Sequence, residues 1–475
     1  MKVILVSGSF NVLHPGHLRF LRFAKDCGDH LIVAVQSDRI AGKAAHVPEK
    51  LRLESLQSIT WVDDVFIYDE PIENVIKRLR PDVIVKGKEH EGRLNPELNV
   101  LSQYGGSLEF CSGEIIFSSL DLIRKEFQVI DNQCISLPNE YLLRHRIEGI
   151  RLRELVTKFS ELKICVIGDL IIDEYITCEP LGMSQEDPTI VVTPVDSIKF
   201  IGGAGIVAAH AAGLGAAVQF FSVTGNDLAR DFAMNGLAEA GVDSKLLVDE
   251  NRPTTLKQRF RSKGKSLLRV SHLHQGAISA VLQEELLTSL KKALEGADLL
   301  VFSDFNYGCL PQPMVDQIVE KAKSCGVFLA ADSQSSSQIG DISRFRGMDL
   351  ITPTEREARI STRNREDGLV VLAEQLRNQA AASNVLLKLG QEGLIIHAPN
   401  ESNDSWLTDR VGALNNSAKD VAGAGDSLLI ISSMTLACGG TIWEAACLGS
   451  LGAAVQVSRV GNTPIKCEEL LREIN

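Results

Sequence analysis

Short apolar runs alternate with amphipathic stretches from the first residues onward. KVILVSG, HLIVAVQSD, VDDVFIY and DVIVKG read as strands, while HLRFLRFAKDC and IENVIKRL carry apolar positions at helical spacing. This alternation predicts a parallel sheet with crossover helices. After LEFCSG and the Ser-rich IIFSSLDLIRKEF the pattern lapses. QCISLPNEY then leads into YLLRHRIEGIRLRELVTKFSEL, where apolar residues spaced three and four apart predict a connector helix with an apolar stripe over 141–159. That stripe is expected to lie on its own C-terminal domain, with packing between domains or between subunits as the alternatives. A fresh strand begins at KICVIGDLIIDEY, and α/β alternation resumes through VDSIKFI, ADLLVFSD, VFLAADS, MDLITPT, VLLKLG and GLIIHA. The pattern predicts an α/β chain with a first domain over 1–130, a helical linker over 131–161 and a second domain over 162–475. No internal repeat or low-complexity tract interrupts it.

Composition narrows the class. The 475 residues exceed one ordinary core, and 44% hydrophobic with 23% charged content describes a globular chain. No run of about 18 apolar residues free of charge appears, and MKVILVSGSF reaches a Gly-Ser turn too soon for a secretory signal, so a cytoplasmic enzyme without membrane contact is expected. The net charge of -12 speaks against broad nucleic-acid binding but leaves room for a local basic pocket that holds a nucleotide. The ten cysteines are scattered with no CxxC pair, so zinc sites and disulfides are not expected.

Two turns carry the chemistry. The first is GSFNVLHPGH, residues 8–17, between a strand at Lys2 to Ser7 and a helix opening at Gly16. Backbone amides at a helix start favour an anion; the plain alternative is a pair of helix-start histidines with Pro15 in the first turn. The Gly-x-Phe-Asn turn followed by His-x-Gly-His resembles the cytidylyltransferase-like nucleotidyltransferases, a likeness that covers residues 1–130. It implies a Rossmann-like parallel sheet with Gly8 and Phe10 at the nucleotide and His14 and His17 as catalytic groups that hold charge at the α-phosphate. By the same resemblance, Lys43 and Arg52 hold triphosphate charge, Ser118 and Ser119 bind phosphate near a helix start, and Mg²⁺ bridges phosphates. ATP is the expected donor, with CTP as the alternative. In-line attack on the α-phosphorus needs fixed donors around the equatorial oxygens and no protein nucleophile.

The second turn is Gly423-Ala424-Gly425-Asp426 in KDVAGAGDSLLIISSMTLA, ahead of an apolar helix. Amides at such a start make an anion site, and an adjacent carboxylate can take the proton of an attacking hydroxyl. With VIGDLIIDEY, FIGGAGIVAAHAAGLGA, PTTLKQRF, FSDFNYG, ITPTEREA and LKLGQEG, this turn resembles the ribokinase-like sugar kinases from about residue 162 onward. The resemblance implies a ribokinase-like α/β domain with a small β lid. Asp426 is then the general base, Gly423, Ala424 and Gly425 the anion hole, Asp173, Gly202 and Gly203 the sugar contacts, and Glu357 the residue that organises Mg²⁺ through water. GGAGIVA at 202–208 also reads as a dinucleotide fingerprint, but an oxidoreductase leaves the Gly-Ala-Gly-Asp turn without a use.

Together the two parts resemble the bifunctional heptose enzymes of ADP-heptose and lipopolysaccharide synthesis, with the domain order reversed. There, one domain phosphorylates a heptose 7-phosphate at C1, and the other transfers AMP from ATP to the sugar 1-phosphate after a separate phosphatase has acted. Several positions depart from that pattern. Ile206 stands for an expected Asn, Tyr307 and Gln334 for expected Lys residues, Thr354 for Asn, Ala422 for Thr, and KGKEHEG for a Lys-Gly-x-Asp-aromatic segment. Two alternatives therefore stay open: a kinase-like domain turned binding or oligomerisation module, and a CTP-using pair for another sugar or polyol phosphate. The expected partners are a sugar phosphate and a nucleoside triphosphate, and a homo-oligomer is left open.

Overall fold

The computed structural model describes residues 2–11, 13, 15–42, 45–87, 95–111, 135–184, 186–187, 189–262, 265–335, 339–399, 406–415 and 417–474. The chain divides into two units, Met1–Asn132 and Gln133–Asn475.

In the first unit, β1 (Val3–Gly8), β2 (His30–Gln36), β3 (Asp64–Tyr68), β4 (Val83–Gly87) and β5 (Ser107–Cys111) pair in parallel in the order β3-β2-β1-β4-β5. Both faces of this sheet are covered, which is why its strands read as apolar runs rather than alternating ones. Ile4 and Val6 pack with Leu21 and Ala24 of the helix Pro15–Asp26 on one face, while Leu5 packs with Val75 and Ile76 on the other. A fully buried side chain such as Leu21 contributes about 1.5–3 kcal/mol. From β1 the chain runs to β2 on one side and later to β4 on the other, so a crevice opens at the carboxyl end of β1, where Gly8 lies.

The second unit holds two sheets. The larger is built from β6 (Lys163–Gly168), β9 (Ala217–Thr224), β10 (Asp243–Val248), β13 (Leu299–Asp304), β14 (Phe328–Ser333), β15 (Leu350–Ile351), β16 (Asn384–Lys388), β17 (Leu394–Pro399) and β18 (Trp406–Val411). Its order is β10-β9-β6-β13-β14-β15-β16-β17-β18, parallel as far as β16 and antiparallel beyond. The smaller sheet is the expected lid: β7 (Leu170–Met183), β8 (Ile190–Gly203), β11 (Thr255–Ser262) and β12 (Lys265–His272) in the order β12-β11-β7-β8. One residue separates β6 from β7. At that corner a Cβ on Gly168 would fall 1.8 Å from the Ser303 carbonyl oxygen, so only glycine lets the strands approach.

The stretch expected as one connector helix is two helices, Asn139–His145 and Gly149–Lys158. Arg146 ends the first in the left-handed region at φ 54°, and Glu148 is extended, so the helical periodicity of the sequence runs across a real break. Tyr141, Leu152, Leu155, Val156 and Phe159 are buried in the core of the second unit. Among the described residues no disulfide is formed and no helix is long and apolar enough to cross a membrane.

Candidate active sites

In the second unit a cavity of about 730 Å³ lies where the lid faces the carboxyl ends of the parallel strands. Its floor is the start of the helix Ala424–Ala437. Gly423 caps that helix at φ 76°, and a Cβ there would meet Asn462 Oδ1 at 2.4 Å, so the turn is open to glycine alone. A Cβ on Gly425 would lie 3.2 Å from Lys388 Nζ, which places an ammonium beside the amides of the turn. Asp426 follows in the first helical turn, 6% exposed, and its Oδ1 accepts from Gln334 Nε2 at 3.0 Å. Burial, reinforced by the Asp332 carboxylate and opposed by Lys388, pushes the Asp426 carboxyl up to about 7. A buried carboxyl in that range can take a proton near neutral pH.

Lys388, at the end of β16, lines this candidate site and was missed by the sequence reading. Its Nζ donates to Asp332 Oδ2 at 2.8 Å. Burial alone would discharge the ammonium, but the nearby Asp332 and Glu357 carboxylates outweigh it and hold Lys388 charged. A lone lysine after an apolar strand reads as a side chain reaching for water; only the register of β14, β15 and β16 brings it to the Gly-rich turn.

Glu357 lines the same cavity and is bound to its rim. Its Oε1 accepts from the Ser335 amide at 2.9 Å and its Oε2 from the Thr354 amide at 2.7 Å, while Thr354 Oγ1 accepts from the Glu357 amide at 3.3 Å. This is a capping box, in which a hydroxyl serves as well as the expected Asn amide.

At the lid end, pairing of β7 with β8 sets Ile171 against Gly202 and Leu170 against Gly203. A Cβ on Gly202 would meet Asp173 Oδ2 at 2.5 Å, so Asp173 and the two glycines share one corner. Burial raises the Asp173 carboxyl, and Arg259, donating to its Oδ1 at 3.3 Å, works in the opposite sense. Lys257, Arg259 and Arg269 also line the cavity. Ile206 is fully buried in the helix Ala204–Gly213 and lies away from the cavity lining. Tyr307 is buried as well, and Lys257 Nζ lies 5.2 Å from its ring centre, so a cation reaches this turn from β11 instead of from position 307. Asp169 accepts the amides of Phe305, Tyr307 and Cys309 at 2.9–3.2 Å and thereby shapes that turn.

In the first unit, Gly8, Phe10 and His17 come together. Phe10 adopts a positive φ of 48°, which turns the chain at the end of β1, and its ring meets the His17 ring edge-on with centres 5.4 Å apart. Asn11 Oδ1 accepts from the His46 amide at 2.9 Å. Arg52, expected at the triphosphate, is fully buried. Its Nε donates to the Val47 carbonyl at 2.7 Å, Nη1 to the Ser9 carbonyl at 2.6 Å and Nη2 to Asp38 at 2.6 Å. It thus ties the His-x-Gly-His loop to its neighbours, and its side chain has no exposed surface. Lys86, at the end of β4, donates to Asn95 and Glu97 at 2.9 and 2.8 Å. His14, Lys43, Ser118 and Ser119 lie outside the described residues.

Residues 161–467, which include the whole of this cavity and its Gly-Ala-Gly-Asp turn, match the model of the pfkB family of carbohydrate kinases. The chain belongs to that family. Ahead of the pfkB kinase region, residues 5–98 match the cytidylyltransferase-like model. The bifunctional protein HldE of Desulfatibacillum aliphaticivorans is 29% identical over 323 residues, 67% of this chain and 64% of that protein. The chain therefore matches just under two thirds of that relative's length. Among solved structures, Escherichia coli phosphofructokinase-2 superposes with a TM-score of 0.54 at 17% identity, covering 66% of this chain and 98% of that one. Arabidopsis thaliana ribokinase, complexed with ribose and ATP, gives 0.52 at 17% identity over 66% and 99%. At such identities the pfkB kinases share the fold of the second unit, and the chemistry rests on this chain's own residues.

Proposed function

We propose that this chain carries out two steps in the synthesis of a nucleotide-activated sugar: phosphorylation of a heptose 7-phosphate at C1, and transfer of AMP from ATP to the heptose 1-phosphate to give ADP-heptose. The observation that carries the kinase step is the position of Asp426 at the Gly423–Gly425 turn, with Lys388 beside it and Asp173 in the same cavity. Asp426 takes the proton of the sugar C1 hydroxyl, the freed oxygen attacks the γ-phosphorus, and the bond to the β-phosphate oxygen breaks to release ADP. The amides of the turn and the Lys388 ammonium hold the charge that moves through the transferred group. Lys257, Arg259 and Arg269 along the lid favour a sugar that already bears a phosphate.

Magnesium fits this arrangement as a companion of the nucleotide. Among the described residues no three His, Cys, Asp or Glu side chains are grouped to hold a metal ion directly, and Mg²⁺ bound through substrate phosphates needs only one or two carboxylates and keeps several waters. Glu357, which lines the cavity, would meet such a hydrated ion. When bound, the ion neutralises phosphate charge.

For the second step, the sugar 1-phosphate attacks the α-phosphorus of ATP and pyrophosphate leaves, with His17 and His14 holding charge at that phosphate and Gly8 and Phe10 shaping the nucleotide site. ATP is the donor in this reading, with CTP as the alternative to it, and Lys43, Ser118 and Ser119 complete the phosphate contacts. A domain order exchanged relative to HldE, which this reading includes, would leave a single collinear alignment covering only one of the two domains. Separate variants test the pair. Asp426→Asn should abolish sugar-dependent ADP formation and leave pyrophosphate release from a supplied sugar 1-phosphate intact, and His17→Ala should do the reverse. Loss of both activities in either variant contradicts two independent sites.

A further inference from the structure

We infer that Tyr175 is a positioning residue that couples the sugar-facing lid to the phosphate-binding turn. Tyr175 lies two places beyond Asp173 on β7, so both side chains leave the same face of the strand. The ring is 6% exposed, and the hydroxyl donates to Asp420 Oδ2 at 2.7 Å. Asp420 sits just ahead of the Gly-rich turn and folds it: Oδ1 accepts from the Ala422 amide at 3.1 Å and Oδ2 from the Gly461 amide at 3.2 Å. Fully buried Gln456 closes the same frame by donating Nε2 to the Ala422 carbonyl at 3.2 Å and the Gly461 carbonyl at 2.9 Å. Gly423 then follows directly, packed against Asn462.

The ring of Tyr175 lies against two cations of the lid. The guanidinium carbons of Arg259 and Arg261 each lie 5.1 Å from its ring centre, and Arg259 also donates to Asp173. A phosphorylated sugar that engages Arg259 therefore acts on a ring whose hydroxyl holds the carboxylate beneath the anion hole. Burial pushes the Asp420 carboxyl up, yet the bonds from Tyr175, Ala422 and Gly461 outweigh it and keep the group ionised, as a charge-assisted strut requires. Loss of the hydroxyl leaves Oδ2 with the Gly461 amide, and the turn is released on its lid side.

The kinase half of this inference rests on the function proposed above, and the test separates the two. In the full chain, Tyr175→Phe keeps the ring and its cation contacts while deleting the bond. Hydrogen exchange read by mass spectrometry, with no ligand added, should show amides of 420–426 exchanging about tenfold faster, with β13 and β14 unchanged. With ATP and heptose 7-phosphate, kcat should fall about tenfold at an unchanged sugar KM. Asp420→Ala deletes the bond from its other end, and the double variant should exchange no faster than Asp420→Ala alone. Exchange at 420–426 equal to the wild type, or additive effects in the double variant, would overturn the coupling. A wild-type chain that phosphorylates no sugar would instead overturn the kinase reading, while the exchange data still decide the coupling.

Discussion

Replacing Asp426 by Asn removes a carboxyl whose ionised form the fold disfavours. Burial, with Asp332 nearby, lifts it from 3.8 to about 7. A rise of about three units corresponds to roughly 4 kcal/mol of penalty on the charged form, an upper bound because the surroundings relax. The penalty is absent below the unfolded value near 4 and complete above about 7, so the wild-type unit loses stability as pH rises through that window. Asn is isosteric and keeps an acceptor for Gln334 Nε2. The variant should therefore unfold about 2–4 kcal/mol later than the wild type at pH 8, several degrees in Tm, with the difference gone near pH 4. Phosphoryl transfer should fall about 10²–10⁴-fold, the usual contribution of a general base, and the wild-type rate should climb with pH to a plateau above about 7. Calorimetry of the full chain from pH 4 to 8, set beside a coupled ADP assay, reads both effects. A pH-independent stability difference, or a variant less stable than the wild type at pH 8, would refute the electrostatic reasoning even if activity were lost.

Other changes probe neighbouring claims. Lys388→Met leaves Asp332 buried without its cation and should cost about 3–5 kcal/mol in the second unit along with most phosphoryl transfer, checked by urea denaturation and the ADP assay. Gly202→Ala drives a methyl to 2.5 Å from Asp173 Oδ2 and should raise the sugar KM about tenfold or more while leaving pyrophosphate release from a sugar 1-phosphate unchanged. Arg52→Ala removes a fully buried clamp and should lower the stability of the first unit by about 3 kcal/mol, seen as a lower Tm of that unit; an unchanged Tm with only a raised ATP KM would restore Arg52 as a phosphate ligand.

What the sequence made legible follows from where the physics is local. The apolar runs found β1 to β4 of the first sheet and β6, β13, β14, β15, β16 and β17 of the larger one, but β9, β10 and β18 were not read as strands. The two Gly-rich turns marked helix starts because their glycines and helix starts are neighbours in sequence. Asp173 and Gly202 were expected at one sugar site, and the β7–β8 register brings them together. Lys388, Asp332 and Gln456 stayed hidden because each acquires its role from strands and helices far away in the chain. The helix break at Arg146 was also invisible, since a single left-handed residue leaves the spacing of apolar positions intact. Departures from the expected pattern had two explanations. Thr354 performs the cap of the expected Asn, and Lys257 brings a cation to the turn where Tyr307 has none.

The measurement that tests the account most directly is mass spectrometry of products from the purified wild-type chain with ATP and Mg²⁺, offered heptose 7-phosphate in one reaction and heptose 1-phosphate in another, with CTP in parallel. The account predicts a heptose bisphosphate with ADP in the first and ADP-heptose with pyrophosphate in the second. ATP turnover without a sugar product in either reaction, or a cytidylylated sugar in place of ADP-heptose, would contradict it.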